Sequence, residues 1–253
     1  MSGLGPLASF LVSLTLLTLL SRWMSRLVQG VGWLLFRDER AVFLLTFVVF
    51  LPGIVIHELS HWLMAWFLGM RPQQLSLWPK VRGKRVEMGS VRVRSGGSLR
   101  DGLTGMAPLL AGTLIVLLVS YQVFDAAALQ RAWADGGLAA TWAVFWAAFG
   151  VPDAWLWAYL VFAVSNSMLP SSSDRQPLLS LFGYILLVGM VLGLFFRFTG
   201  GLPQPVIPAS TLSQVIRALR TLTTAAIFTI ALDALIALPL VALQVLLVSL
   251  RRE

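Results

Sequence analysis

Apolar residues run in long blocks along this chain, and polar residues gather between the blocks. A helix that crosses a bilayer needs about 20 apolar residues in succession. Six segments approach that length. They are Leu4 to about Trp23, with a short interfacial stretch onward to Phe36, then Ala41–Met70, Leu103–Phe124, Ala154–Leu169, Leu178–Phe198 and Leu222–Leu250. The second contains Pro52-Gly53, which predicts a kink, and it closes at Gly69 with Pro72 beyond. The fourth is short and closes at Pro170.

The stretches between these blocks predict smaller elements. Val86-Glu87-Met88 and Val91-Arg92-Val93-Arg94 alternate apolar with polar around Gly89-Ser90, which predicts a β-hairpin. Residues 125–153 are rich in Ala and Trp and suit an interfacial or re-entrant helix, because Trp favours the headgroup level. Pro203, Pro205 and Pro208 mark a linker, after which Ser210 is placed to cap a short amphipathic helix through Arg220. No internal repeat and no appended soluble domain are visible. The expected architecture is an all-α polytopic membrane protein of about six transmembrane helices, with a small β-hairpin insert after the second. It reads as one membrane-embedded domain over 1–253, with a core at 41–198, the insert at 71–101 and a C-terminal helix at 210–250.

Composition sharpens this picture. The chain is 58% hydrophobic and 12% charged, whereas soluble domains carry about 25% charged residues. A chain of 253 residues has no interior large enough to hide so much apolar sequence from water. The net charge of +8 is concentrated: residues 71–101 hold eight Lys/Arg against Glu87 and Asp101. Beside membrane segments, such a cluster reads as a cytoplasmic loop attracted to the anionic lipid of the bilayer, with no call for nucleic acid. The second helix then runs inward, the 125–153 segment lies outside, and Ser171–Arg175, Arg251 and Arg252 return to the cytoplasmic side of a cell (inner) membrane. The N-terminal apolar run has no basic stretch before it, so it reads as a retained helix and not a cleaved signal. The absence of cysteine excludes disulfides and thiolate metal sites.

The chemistry gathers in one place. Both histidines of the chain fall in His57-Glu58-Leu59-Ser60-His61, inside the second apolar block. A helix sets His57 and His61 one turn apart on one face, where two imidazoles can share a metal ion. Glu58, between them, is placed to take a proton from a water on that ion. The bland alternative is a polar cluster satisfied by helix neighbours, or a structural metal site. Three ionisable groups in hydrocarbon would cost several kcal/mol without a partner, which favours the metal. A catalytic zinc has three protein ligands and a water. With no further His and no Cys, the third ligand must be a carboxylate. Asp174, after the fourth helix, and Asp233, inside the sixth, are the candidates; depth favours Asp174. His61 stands about ten residues from the end of its block, roughly 15 Å deep. Asp233 otherwise reads as the partner of some intramembrane polar group, and Asp174 as a helix cap.

These residues carry a family resemblance. His57-Glu58-Leu-Ser-His61 with Trp62-Leu-Met-Ala-Trp-Phe-Leu-Gly69 resembles the metal helix of site-2 proteases. Gly105-Met-Ala107-Pro108 resembles the start of their next helix, and Asn166 to Asp174 resembles their Asn-Pro…Leu-Asp-Gly element. The matches span about 54–176. The resemblance implies an intramembrane zinc metalloprotease acting on transmembrane protein substrates. It implies Zn²⁺ on His57, His61 and Asp174, with Glu58 as acid/base and Asn166 helping to hold substrate. Asn166 equally suits an ordinary helix–helix hydrogen bond. The sequence departs from the family where Arg175 follows Asp174 in place of Gly, and where Ser171–Ser173 replace a Pro/Leu-rich stretch. These departures keep a second expectation open: a non-catalytic membrane scaffold or complex subunit that retains the protease fold. The 86–94 hairpin is expected either to lie among lipid headgroups or to pair its edge with an extended substrate.

Overall fold

The computed structural model describes residues 4–78, 80–82, 85–87, 89–169, 172–198 and 209–251. Each of the six apolar blocks is helical. Helix α1 (Leu4–Phe36) is one continuous 33-residue helix that includes the stretch beyond Trp23. Arg37 and Asp38 turn the chain into α2 (Glu39–Phe67), whose first turn is capped by the Asp38 carboxylate accepting from the Ala41 amide at 2.8 Å. The insert follows, and then α3 (Ser98–Gln122). The Ala/Trp-rich segment forms α4 (Ala126–Ala147), broken at Gly137, where φ is 65°. A short 3-10 turn (Ala148–Gly150) leads into α5 (Ala154–Ser167). Helix α6 spans Ser172–Phe198 and begins earlier than its apolar block, so Asp174 lies in its first turn. Helix α7 spans Ala209–Ser249.

Four of these helices, α1, α2, α3 and α7, are long and apolar enough to cross a membrane. The α4–α5 pair, bent by 110°, makes a fifth if it counts as one broken span. The outward faces suit that setting: Leu16, Leu19, Val48, Leu114, Leu118 and Leu238 are exposed, where lipid tails would cover them. Inside, two apolar clusters meet at α5. One joins α3, α4, α5 and α7 around Phe124, Phe145 and Phe228. The other joins α1, α2, α5 and α7 around Met24, Phe47, Phe50 and Phe162. The second half of α5 is thus enclosed, with Val161, Ala163 and Ser165 at 0% exposure.

Helix α2 runs through Pro52 and Gly53 as one element. The glycine serves packing: a Cβ there would stand 2.0 Å from the Ala163 carbonyl oxygen and 2.6 Å from Ser167 Oγ. Only a residue without a side chain lets α5 lie this close to α2. The 210–220 helix is likewise not separate, since α7 runs unbroken from Ala209. Residues 199–208, which hold the three prolines of the expected linker, lie outside the described residues.

The insert forms strands, but not between the expected partners. Strand β4 (Ser90–Arg92) pairs antiparallel with β1 (Gln74–Ser76), Leu75 opposite Val91. Strand β3 (Arg85–Glu87) pairs antiparallel with β2 (Lys80–Arg82), Val81 opposite Val86. The insert also turns back along α2. Trp78 meets Phe47 edge-on, with ring centroids 5.6 Å apart. Phe47 lies 20 residues, about 30 Å, from the end of the helix that leads into the insert.

Candidate metal centre

The His57 and His61 side chains project from one face of α2, one turn apart, with ring centroids 4.9 Å apart. Each ring is oriented by a backbone carbonyl through its inner nitrogen. His57 Nδ1 lies 2.7 Å from the Ser167 carbonyl oxygen at the end of α5. His61 Nδ1 lies 2.8 Å from the Thr104 carbonyl oxygen in α3. A carbonyl only accepts, so both Nδ1 atoms carry the proton and donate. That choice leaves the Nε2 lone pair of each ring facing the shared space.

The third member comes from α6. His61 Nε2 is 3.3 Å from Asp174 Oδ1, and His57 Nε2 is 3.6 Å from Asp174 Oδ2. The two Nε2 atoms are 3.3 Å apart. Two nitrogens each about 2.0–2.1 Å from one tetrahedral ion stand about 3.3 Å apart, so the spacing fits a shared zinc. The electrostatics agree. Two lone pairs and a carboxylate directed at one another repel unless positive charge lies between them. His57, His61 and Asp174 therefore form a group able to hold a metal ion, their ligand atoms all within 4.8 Å of one another. The side chains keep 11–12% exposure, so the centre is recessed without being sealed.

The site lies within the helix bundle. His61 is six residues before Phe67, about 9 Å from the end of α2. Glu58 is buried beside the histidines at 9% exposure. The insert covers it: a Cβ on Gly89 would stand 2.6 Å from Glu58 Cγ and 2.8 Å from its Oε1. Gly89 is thus packed against Glu58.

The other two candidate residues, Asp233 and Asn166, are elsewhere. Asp233 is fully buried in α7 and apart from the metal group. Its Oδ2 accepts from Asn166 Nδ2 at 3.1 Å. Asn166 Nδ2 also donates to the Phe162 carbonyl of its own helix at 2.8 Å. The structure therefore gives Asn166 a helix–helix hydrogen bond, one residue from the Ser167 carbonyl that orients His57. The features that sequence reasoning missed are the two carbonyl acceptors and Gly89. The Thr104 carbonyl had a signal in Pro108, which lies four residues on in the same helix and has no N–H to give it; the Ser167 carbonyl had none, and only the turn-forming Gly89-Ser90 pair hinted at a close approach.

No protein-family model, no curated protein and no solved structure matches this chain.

Proposed function

We propose that this protein is an intramembrane zinc metalloprotease that hydrolyses peptide bonds of membrane-spanning protein substrates. The observation that carries the reading is the pair of inner-nitrogen hydrogen bonds on His57 and His61, which turn both Nε2 atoms toward the Asp174 carboxylate. A cluster satisfied by its neighbours would have no need to present three acceptors to one point. The site-2 protease resemblance assigns the same three residues to the metal. Orientation belongs to this proposal too: the basic 71–101 segment marks the cytoplasmic side of a cell membrane.

Zinc bound there would polarise a substrate carbonyl and lower the pKa of water toward neutrality. His57, His61 and Asp174 hold the ion, and the Ser167 and Thr104 carbonyls keep the rings in the productive tautomer. Glu58 takes a proton from the attacking water as the oxygen joins the carbonyl carbon. It then gives that proton to the amine nitrogen as the C–N bond breaks. The substrate must be extended at the cleaved bond, because a helix engages its carbonyls in internal hydrogen bonds. The insert offers strand edges beside Glu58 on which an extended segment can pair.

The test separates ion binding from proton transfer. In purified full-length protein, Glu58→Gln retains zinc at the wild-type ratio, while cleavage of a helix-destabilised transmembrane peptide falls about 10²–10⁴-fold. His57→Ala loses zinc and cleavage together. Cleavage by Glu58→Gln at the wild-type rate sinks the proposed chemistry. Stoichiometric zinc in a wild type that cleaves no such peptide shifts the reading to a scaffold that kept the fold.

A further inference from the structure

We propose that Asp233 is a positioning residue for the metal centre, acting through Asn166 and the last turn of α5; this rests on the metal reading above. A helix ends with carbonyls that have no partner in the helix, and something else must satisfy them. At the end of α5 those carbonyls are put to use. The Ser167 carbonyl accepts from His57 Nδ1 at 2.7 Å. The Asn166 carbonyl accepts from Ser21 Oγ of α1 at 3.3 Å. The direction of the Ser167 carbonyl, and so the orientation of His57, depends on how this last turn is held.

The Asn166 side chain ties that turn to α7, through Asp233 Oδ2 at 3.1 Å. Asp233 is at 0% exposure, in a helix long and apolar enough to span the membrane. An ionisable residue is costly there and marks function by default. The metal group itself does not use it. Three helices thus converge on two successive residues: α1 on the Asn166 carbonyl, α7 on the Asn166 side chain and α2 on the Ser167 carbonyl. Among the described residues, Asn166 Oδ1 and Asp233 Oδ1 are buried without a hydrogen-bond partner. An amide at position 233 keeps an acceptor for Asn166 Nδ2 and adds a donor that Asn166 Oδ1 can use. The link therefore survives Asp233→Asn and is lost in Asp233→Leu, which has similar volume and no polar atom.

The experiment is a zinc competition titration against a chromophoric chelator on full-length protein in micelles, together with the visible spectrum of the Co²⁺-loaded form. Asp233→Leu weakens zinc binding about tenfold and alters the cobalt bands, because the His57 ring is no longer held. Asp233→Asn keeps both readouts at wild type. Asn166→Leu combined with Asp233→Leu is no worse than the weaker-binding single variant, since both break one link. If Asp233→Leu does not fold, Asp233→Ser, too short to reach Asn166, takes its place with the same expected loss. A folded Asp233→Leu or Asp233→Ser with wild-type affinity and an unchanged cobalt spectrum overturns the proposal while leaving the metal centre standing. Loss by Asp233→Asn as large as by Asp233→Leu also overturns it, since the charge and not the link then matters. A wild type that takes up no metal overturns the metal reading itself, and this inference with it.

Discussion

The inner nitrogens of His57 and His61 determine what their outer nitrogens can do. Each Nδ1 proton is committed to a carbonyl, so each Nε2 is an acceptor, and the Asp174 carboxylate completes three acceptors around one point. This part of the site was legible in the sequence. Four-residue spacing puts both rings on one helix face, and the lack of any other His or Cys requires a carboxylate. Pro108 leaves the Thr104 carbonyl without its helical donor, but which backbone oxygen meets which imidazole was not legible, because it depends on how three helices pack. The same holds for Gly89, whose missing side chain makes room for the Glu58 carboxylate. Gly89→Ala places a methyl against that carboxylate, and either the strand segment or Glu58 must shift. Displacements on the order of 1 Å in a catalytic group can cost about 100-fold. Gly89→Ala is therefore expected to lower peptide cleavage by one to two orders of magnitude while zinc content, measured on the same sample, stays at wild type. Unchanged cleavage would show that the insert does not confine Glu58.

The elements form wherever apolar runs exceed about a dozen residues, and their positions were largely legible for that reason. Boundaries and partners were less so. Alternation in 86–94 reveals which residues can be strand, but pairing depends on which edge lies opposite, and β3 and β4 each found an earlier strand. Helix α7 absorbs the expected short amphipathic helix because nothing between Ala209 and Leu238 is glycine or proline, so no residue interrupts it. Pro52-Gly53 predicts a kink, and in the bundle Gly53 is also the surface on which α5 rests. Because α5 delivers the Ser167 carbonyl to His57, that contact matters beyond stability. Gly53→Ala forces a methyl into the Ala163 carbonyl and should destabilise the fold by about 1–3 kcal/mol, the range for overpacked interiors. It should also weaken zinc binding, since α5 must move away from α2. Thermal unfolding in micelles, with and without added zinc, reads both effects. Wild-type stability in Gly53→Ala would mean that α5 does not approach α2 this closely.

At the scale of the whole molecule, the structure relates the helix ends to one another, and that relation bears on the expected topology. The basic 71–101 segment, Arg251 and Arg252 were expected on one side. In the structure, the Arg251 guanidinium donates to the Leu34 carbonyl near the end of α1, and Gln244 lies against Gly30 one helical stretch earlier. The last part of α7 therefore follows the last part of α1 to the same end. Only Arg37 and Asp38 separate α1 from α2, so that end is also where α2 begins. Helix α2 has 29 residues, about 43 Å at 1.5 Å per residue, against a hydrocarbon core of about 30 Å. We propose that its two ends emerge on opposite faces, with the C-terminal end of α7 across the membrane from the start of α3. Charge density in short loops sets orientation, and the eight Lys/Arg of 71–101 favour the cytoplasm for that segment. The chain has no native cysteine, so single-cysteine variants give an uncluttered readout. In intact cells, a membrane-impermeant maleimide is expected to label Arg251→Cys, while Arg100→Cys, in the first turn of α3, labels only after permeabilisation. Labelling of both positions from the same side would break the α1–α7 pairing described above. Labelling of Arg100→Cys alone in intact cells would keep that pairing but invert the protein, placing the insert and the entrance nearest the metal centre outside.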